Sequence, residues 1–238
     1  AVARLLRIAQ AADAPVILSP ITCRDSLFEL EQARKRGQSA YATTCPQYLL
    51  LDDSVYYEGE NAGRFVCSPP LRDRSQQEPL WKALRRDSIQ AVASSHRSFT
   101  LRQKESDPQD FTAIPAGLPG AENRGELLYT FGVSARRLAP EDLCRVLSEA
   151  PARLCGLYPK KGVLQPGSDA DIVVYDPRAS HVIRADDSLS RSDYNPYEGF
   201  VTTGGITQVY LRGRLAVDQG AVLPAPDGSY LPRGKNSL

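Results

Sequence analysis

The sequence predicts an α/β protein: a parallel sheet with crossover helices, followed by a β-rich accessory segment. Three observations carry this. Short apolar runs alternate with amphipathic helical stretches through the first two thirds of the chain. Past Pro159 the helical periodicity stops, and strand-like runs with turn residues take over. The 238 residues, 42% apolar and 24% charged, have the composition of an ordinary globular chain.

Taken in order, "AVARLLRIAQAADAP" predicts an amphipathic helix ending near Ala14 and Pro15, with Val2, Leu5, Leu6 and Ala9 on one side. "VILS" (16–19) predicts a short buried strand. Thr22 and Asp25 form a capping pattern for a helix through Arg36; Leu27, Leu30 and Ala33 are its apolar stripe and Gly37 its stop. "SAYAT" (39–43) is the second strand, and "CPQYLLLDDSVYYEGENAG" is a short helix plus loop or a long loop. Residues 75–87 predict a helix with Leu80, Trp81 and Leu84 inward, and "IQAVAS" (89–94) a third strand. Residues 95–123 lack periodicity and hold Pro108, Pro115 and Pro119; so long a connection is usually functional. Helices at 124–135 and 140–156 follow, Pro140 suiting a first helical position. Residues 162–176 predict a turn and a strand, and 206–222 a hairpin turning at Arg212 and Gly213. The expected division is a parallel α/β part over 1–160 and a β-rich segment and tail over 161–238.

A net charge of +1 gives no electrostatic case for nucleic acid or an anionic membrane. No apolar stretch is long enough to span a bilayer, and the N-terminus does not read as a signal peptide, though a cleaved one would leave no trace. Cys23, Cys45, Cys67, Cys144 and Cys155 are odd in number and form no C-x-x-C pair; buried, reduced thiols in the cytoplasm are expected. The chain has no methionine, even at position 1, and begins directly in a helix, so a part of a longer protein is expected.

Several phrases in order carry a resemblance: "TCPQYLLLD" (44–52), "CSPPLRD" (67–73), "GLYPKKG" (156–162), "GSDADIVVYDP" (167–177) and "DYNPYEG" (193–199). Together they closely resemble the dihydropyrimidinase and hydantoinase family of cyclic amidohydrolases, over essentially the whole chain. The resemblance implies a TIM-like barrel plus a small β-sandwich built from both chain ends. It places this chain on the C-terminal half, with 16–19, 39–43 and 89–94 as barrel strands six, seven and eight, and so makes 1–160 a partial α/β barrel. The family's paired first-strand histidines and metal-bridging carbamylated lysine would lie before its start.

The family hydrolyses cyclic amides with two zinc ions, which acidify a bound water and polarise the amide. Its strand-eight aspartate ligates metal and moves the proton. In "VASSHRSF" (92–99) that position is Ser95, which carries no charge and cannot act as that base. Aligning on "QARKRG" puts Pro20, with no ligand atom, at the strand-six histidine position. The family's substrate asparagine is Ala116 in "IPAG". Ser68, whose family counterpart bonds the substrate ring through its backbone, remains.

Other residues offer weaker chemistry. His96 is the remaining metal candidate, but a hydrogen-bonded histidine behind the strand is the preferred reading. His181 reads as a surface residue. A triad of Ser95, His96 and Asp110 lacks a nucleophile elbow. Cys67 reads as a buried thiol rather than a nucleophile. The pairs Asp52–Asp53 and Asp186–Asp187 read as solvated loop charges. Scaffold phrases are intact while three site positions differ, as in the collapsin response mediator branch, which keeps the fold without the activity.

The expectation is therefore a catalytically inactive binding or assembly subunit, with no cofactor of its own. The alternative is an active cyclic-amide hydrolase completed by an N-terminal half or partner chain. A bare fragment without independent role is the third reading. Expected partners are copies of itself or its N-terminal half, with "DGSYLPRGK" (227–235) resembling a tail that reaches neighbouring subunits.

Overall fold

Helix α1 (Val2–Ala11) opens the computed structural model, which describes residues 1–57, 59–107, 110–224 and 228–235. Leu6 and Ala9 are buried, but Leu5 is 45% exposed, against expectation. The helix also stops earlier than expected, because Asp13 turns left-handed at φ +47°. Strand β1 (Val16–Leu18) follows. It pairs in parallel with β2 (Ala40–Thr44), which pairs in parallel with β3 (Ala91–Val92), so the sheet order is β1-β2-β3. Strand β1 is an edge, and its Ile17 is 46% exposed, so this is not the wholly buried strand that was expected.

Helices α2 (Arg24–Lys35) and α4 (Gln77–Arg85) make the crossovers, α2 packing against both α1 and α4. The stripe of Leu27, Leu30 and Ala33 is buried, as are Leu80, Trp81 and Leu84. All three helices close in the same way. A residue at positive φ (Asp13, Gly37, Asp87) lets its own amide and the next one bond back into the last turn, as Gly37 N does to Arg34 O at 2.8 Å, Gln38 N to Ala33 O at 3.2 Å and Ser88 N to Ala83 O at 2.8 Å. The chain then turns directly into the following strand. The start of α2 differs from expectation. Cys23 is its N-cap, and Thr22 is buried with its hydroxyl accepting from Arg72 Nε at 3.4 Å. Between β2 and α4 lie α3 (Pro46–Leu50) and short 3-10 turns at Asp53–Tyr57, Gly59–Phe65 and Arg74–Gln76.

Strand β3 is shorter than the expected 89–94 because the backbone turns left-handed at Ser95, φ +48°. The aperiodic 95–123 stretch contains a short helix, α5 (Leu101–Lys104), held by a capping box between Thr100 and Gln103 that the periodicity did not reveal. Helix α6 (Arg124–Leu128) then widens into a π turn (Tyr129–Ser134). Helix α7 (Pro140–Cys144), with Pro140 in its first turn, runs through a second π turn (Arg145–Glu149) into α8 (Ala150–Leu154).

Strands β4 (Ile172–Val182), β5 (Val201–Leu211), β6 (Arg214–Asp218) and β7 (Ala221–Val222) form an antiparallel sheet in that order. Arg212 (φ +49°) and Gly213 (φ +77°) make the expected two-residue turn, and Gln219 and Gly220 repeat it. The antiparallel sheet is fastened to the helical part at the π turn after α6. Thr130 Oγ1 donates to Thr203 O at 3.2 Å and accepts from Thr203 N at 3.0 Å, and the Tyr129 and Tyr175 rings lie 4.3 Å apart. All five cysteines are free. Cys45 and Cys67 are buried, but Cys144 and Cys155 are exposed, since the buried residues of that helical stretch (Val146, Ala150, Ala152) face the other way. No helix among the described residues is long and apolar enough to cross a membrane.

Candidate functional site

The parallel strands deliver their C-terminal ends side by side. Ile21 N bonds to Thr43 O at 2.7 Å, Thr44 Oγ1 to Ile21 O at 2.8 Å, and Ala93 N to Thr44 O at 2.8 Å. This rim carries Ser19, hydroxyl to hydroxyl with Thr43 at 2.7 Å, then Pro20 after β1, and Ser94 and Ser95 after β3. Ser95 is exposed. Pro20 and Ser95 put no imidazole or carboxylate on the rim.

His96 also lies past the strand, so strand alternation does not govern it. It is exposed rather than tucked behind the sheet. Its Nδ1 accepts from Gly120 N at 3.1 Å and Ala121 N at 3.3 Å, which ties the 95–97 turn to the 118–121 turn. That nitrogen is therefore occupied by amides. Asp110 is spent locally, its carboxylate accepting from Thr112 N at 2.9 Å and Thr112 Oγ1 at 2.6 Å. No Ser95–His96–Asp110 relay is assembled by these bonds.

A zinc ion needs about three protein ligands in a catalytic site. Among the described residues no group of three or more His, Cys, Asp or Glu side chains is placed to hold a metal. Cys45, under the rim, is pushed up to about 12 by burial and stays a thiol at neutral pH. The residues on this chain's share of the rim therefore do not fit the zinc chemistry that the resemblance implied.

Apart from the rim, the segments around Cys67 and Ala116 form an apolar cavity of about 920 Å³ that none of these rim residues lines. Tyr56, Val66, Cys67, Phe111, Ile114 and Ala116 are among its walls, with Lys104 as a buried cation. Ser68 is exposed and adjoins the lining Cys67. Gly117 N bonds to Val66 O at 3.0 Å, so the strand-like pieces carrying Ser68 and Ala116 are held together. The Cys67 thiol is pushed up by burial and donates to Pro69 O at 3.2 Å, a structural thiol rather than a nucleophile. Lys104 was not singled out by sequence. A lysine in an aperiodic loop gives no signal of burial, and only the capping box around it could have marked an ordered turn.

His181 is partly exposed, as expected of a surface residue, yet it is not idle. Its Nε2 lies 3.4 Å from Glu126 Oε2, and its Nδ1 2.9 Å from Thr202 Oγ1. Burial raises the Glu126 carboxyl's pKa and the imidazole opposes that. Thr202 is fully buried, so this hydroxyl–imidazole–carboxylate row joins α6 to the sheet and offers no nucleophile. Asp52 accepts from Ser54 N at 3.0 Å in a turn, and Asp186 and Asp187 are exposed, as loop charges.

A family model described as "Amidohydrolase family" matches residues 25–216. D-phenylhydantoinase of Escherichia coli O81 (strain ED1a) is 41% identical over 236 residues, which are 98% of this chain and 51% of that protein. A crystal structure of a D-hydantoinase superposes on 100% of this chain and 52% of its own, with a TM-score of 0.96 and 36% identity. Dihydropyrimidinase from Brevibacillus agri NCHU1002 gives a TM-score of 0.91 at 35% identity, over 94% of this chain and 49% of its own. The chain spans about half the length of the relatives it matches.

Proposed function

The chain belongs to the amidohydrolase family, with the corresponding mixed α/β, barrel-like fold, and on that premise we propose that it is a dihydropyrimidinase- or hydantoinase-like binding or assembly subunit without hydrolytic activity of its own. Residues 1–160 act as the barrel part and 161–238 as the accessory part. It works in the cytoplasm, beside an N-terminal half or further copies of itself. The observation that carries the proposal is the rim. Ser95 and Pro20 stand where the resemblance calls for the proton-transferring aspartate and a metal-binding histidine, and neither a hydroxyl nor a proline ring can do that work. The apolar cavity beside Ser68 and Ala116 supports retention of a binding role. The relatives' names support a second reading, an active cyclic-amide hydrolase whose remaining ligands come from another chain.

The deciding experiment measures metal content and turnover on the purified protein, alone and with any N-terminal half encoded beside it. Less than stoichiometric zinc and no opening of hydantoin or dihydrouracil in either preparation is the expected result. Zinc near one per chain together with turnover would establish the second reading.

A further inference from the structure

Lys104 is 0% exposed. A buried ammonium is costly unless its protons are matched. Here Nζ donates to Val66 O at 2.7 Å and to Pro115 O at 2.8 Å, with the Phe99 ring centre 5.7 Å away. The two carbonyls belong to segments far apart in sequence. Val66 stands two residues before Ser68, and Pro115 immediately before Ala116. Val66 O also accepts from Gly117 N at 3.0 Å, so one carbonyl receives both the cation and the facing strand-like segment. The helix carrying Lys104 has four residues and is anchored by the Thr100–Gln103 capping box, with Thr100 N bonding to Gln103 Oε1 at 2.9 Å. Leu101 N is held in turn by Asp193 at 2.7 Å. The amine is thus delivered from a fixed turn. Burial lowers its pKa to about 8, which is the cost of keeping a cation in an apolar wall. An aliphatic side chain would fill the same space without that cost but could not bridge two carbonyls.

We infer that Lys104 is a positioning residue: it ties the 66–68 segment to the 115–117 segment, and so holds Ser68 and Ala116 at a set separation along the cavity wall. The inference rests on the reading above only in taking that wall as the ligand-facing one. The tie itself is read out without zinc, substrate or turnover, so the two can fail separately.

The test is residue-resolved hydrogen exchange and thiol mapping on the intact chain and its Lys104→Met variant. The Gly117 amide should exchange about tenfold faster or more in the variant, and Cys67 should react correspondingly faster with N-ethylmaleimide. The Gly213 amide, bonded to Ala170 O at 2.9 Å in the distant hairpin, should be unchanged. Rates at Gly117 and Cys67 within about twofold of wild type would overturn the inference. So would equal acceleration at all three sites, which would make Lys104 a general stabiliser. Should the variant not fold, nitrogen-15 lysine spectra of the wild type decide. A slowly exchanging Lys104 ammonium coupled to the Val66 and Pro115 carbonyl carbons is expected, and its absence refutes the tie.

Discussion

Lys104 stores a pH dependence in a single side chain. Its pKa is lowered to about 8 from the ordinary 10.5 by burial. Between those values the unfolded chain holds a proton that the folded chain has released, so stability rises with pH across that window. The gain is complete above the unfolded value and is lost as pH falls through the folded one. At about 1.4 kcal/mol per unit the wild type should gain about 3 kcal/mol relative to Lys104→Met between about pH 7 and about pH 11. Urea unfolding of both proteins at the two pH values checks this. A constant difference would mean that the amine is not desolvated. Cys45 and Tyr56, whose acid groups are pushed up by burial, titrate in the opposite sense, which is why the comparison with the variant is needed.

At the scale of elements, α4 is the piece on which the parallel layer depends. Trp81 is 2% exposed, and its indole donates to Leu49 O at 3.2 Å, fastening α4 to α3. Its face also meets the Arg137 guanidinium at 5.5 Å. Trp81→Ala should cost about 3–5 kcal/mol, from lost burial, the cavity left behind and an unpaired carbonyl. Chemical denaturation measures it, and a loss under about 1 kcal/mol would show that the site collapses around the gap. The core positions of this element are readable from periodicity, because Leu80, Trp81 and Leu84 fall on one side of a 3.6-residue helix. The same reasoning overextended β3 and misplaced the start of α2. In both places a single backbone choice, Ser95 at positive φ and Cys23 as cap, ended the pattern without changing the hydrophobic code.

For the whole molecule, two outcomes follow from the proposed role. Among the described residues, β1 and β3 have no further strand on their outer sides. Leu5, Ile8, Ile17 and Phe28 stand exposed on α1, β1 and α2. Apolar surface of this kind is usually covered, so light scattering should find the chain assembled with itself or with an N-terminal half. A stable monomer with cooperative unfolding would sink that expectation. The second outcome concerns chemistry. Ser95→Asp combined with Pro20→His should leave hydantoin hydrolysis undetectable in this chain alone, because two restored side chains fall short of a catalytic metal site with its acid and base. Turnover by the double variant would show that other residues complete the site.

The amino-acid sequence determined the alternation of strands and helices from α1 to β3, the inward faces of α2 and α4, and the Arg212–Gly213 hairpin. Each is set by local periodicity or by one residue's backbone freedom. It also supplied, through the resemblance of whole phrases, the positions of Pro20, Ser68, Ser95 and Ala116. Tertiary structure alone decided what stands between those positions. The amine of Lys104, the Nδ1 of His96 and the Glu126–His181 pair take their roles from partners that are remote along the chain: 38 residues for Lys104 and Val66, 24 for His96 and Gly120. No pattern along a strand or helix encodes such a meeting. A buried cation is placed by the carbonyls that can accept from it, and those carbonyls converge only when the loops have closed.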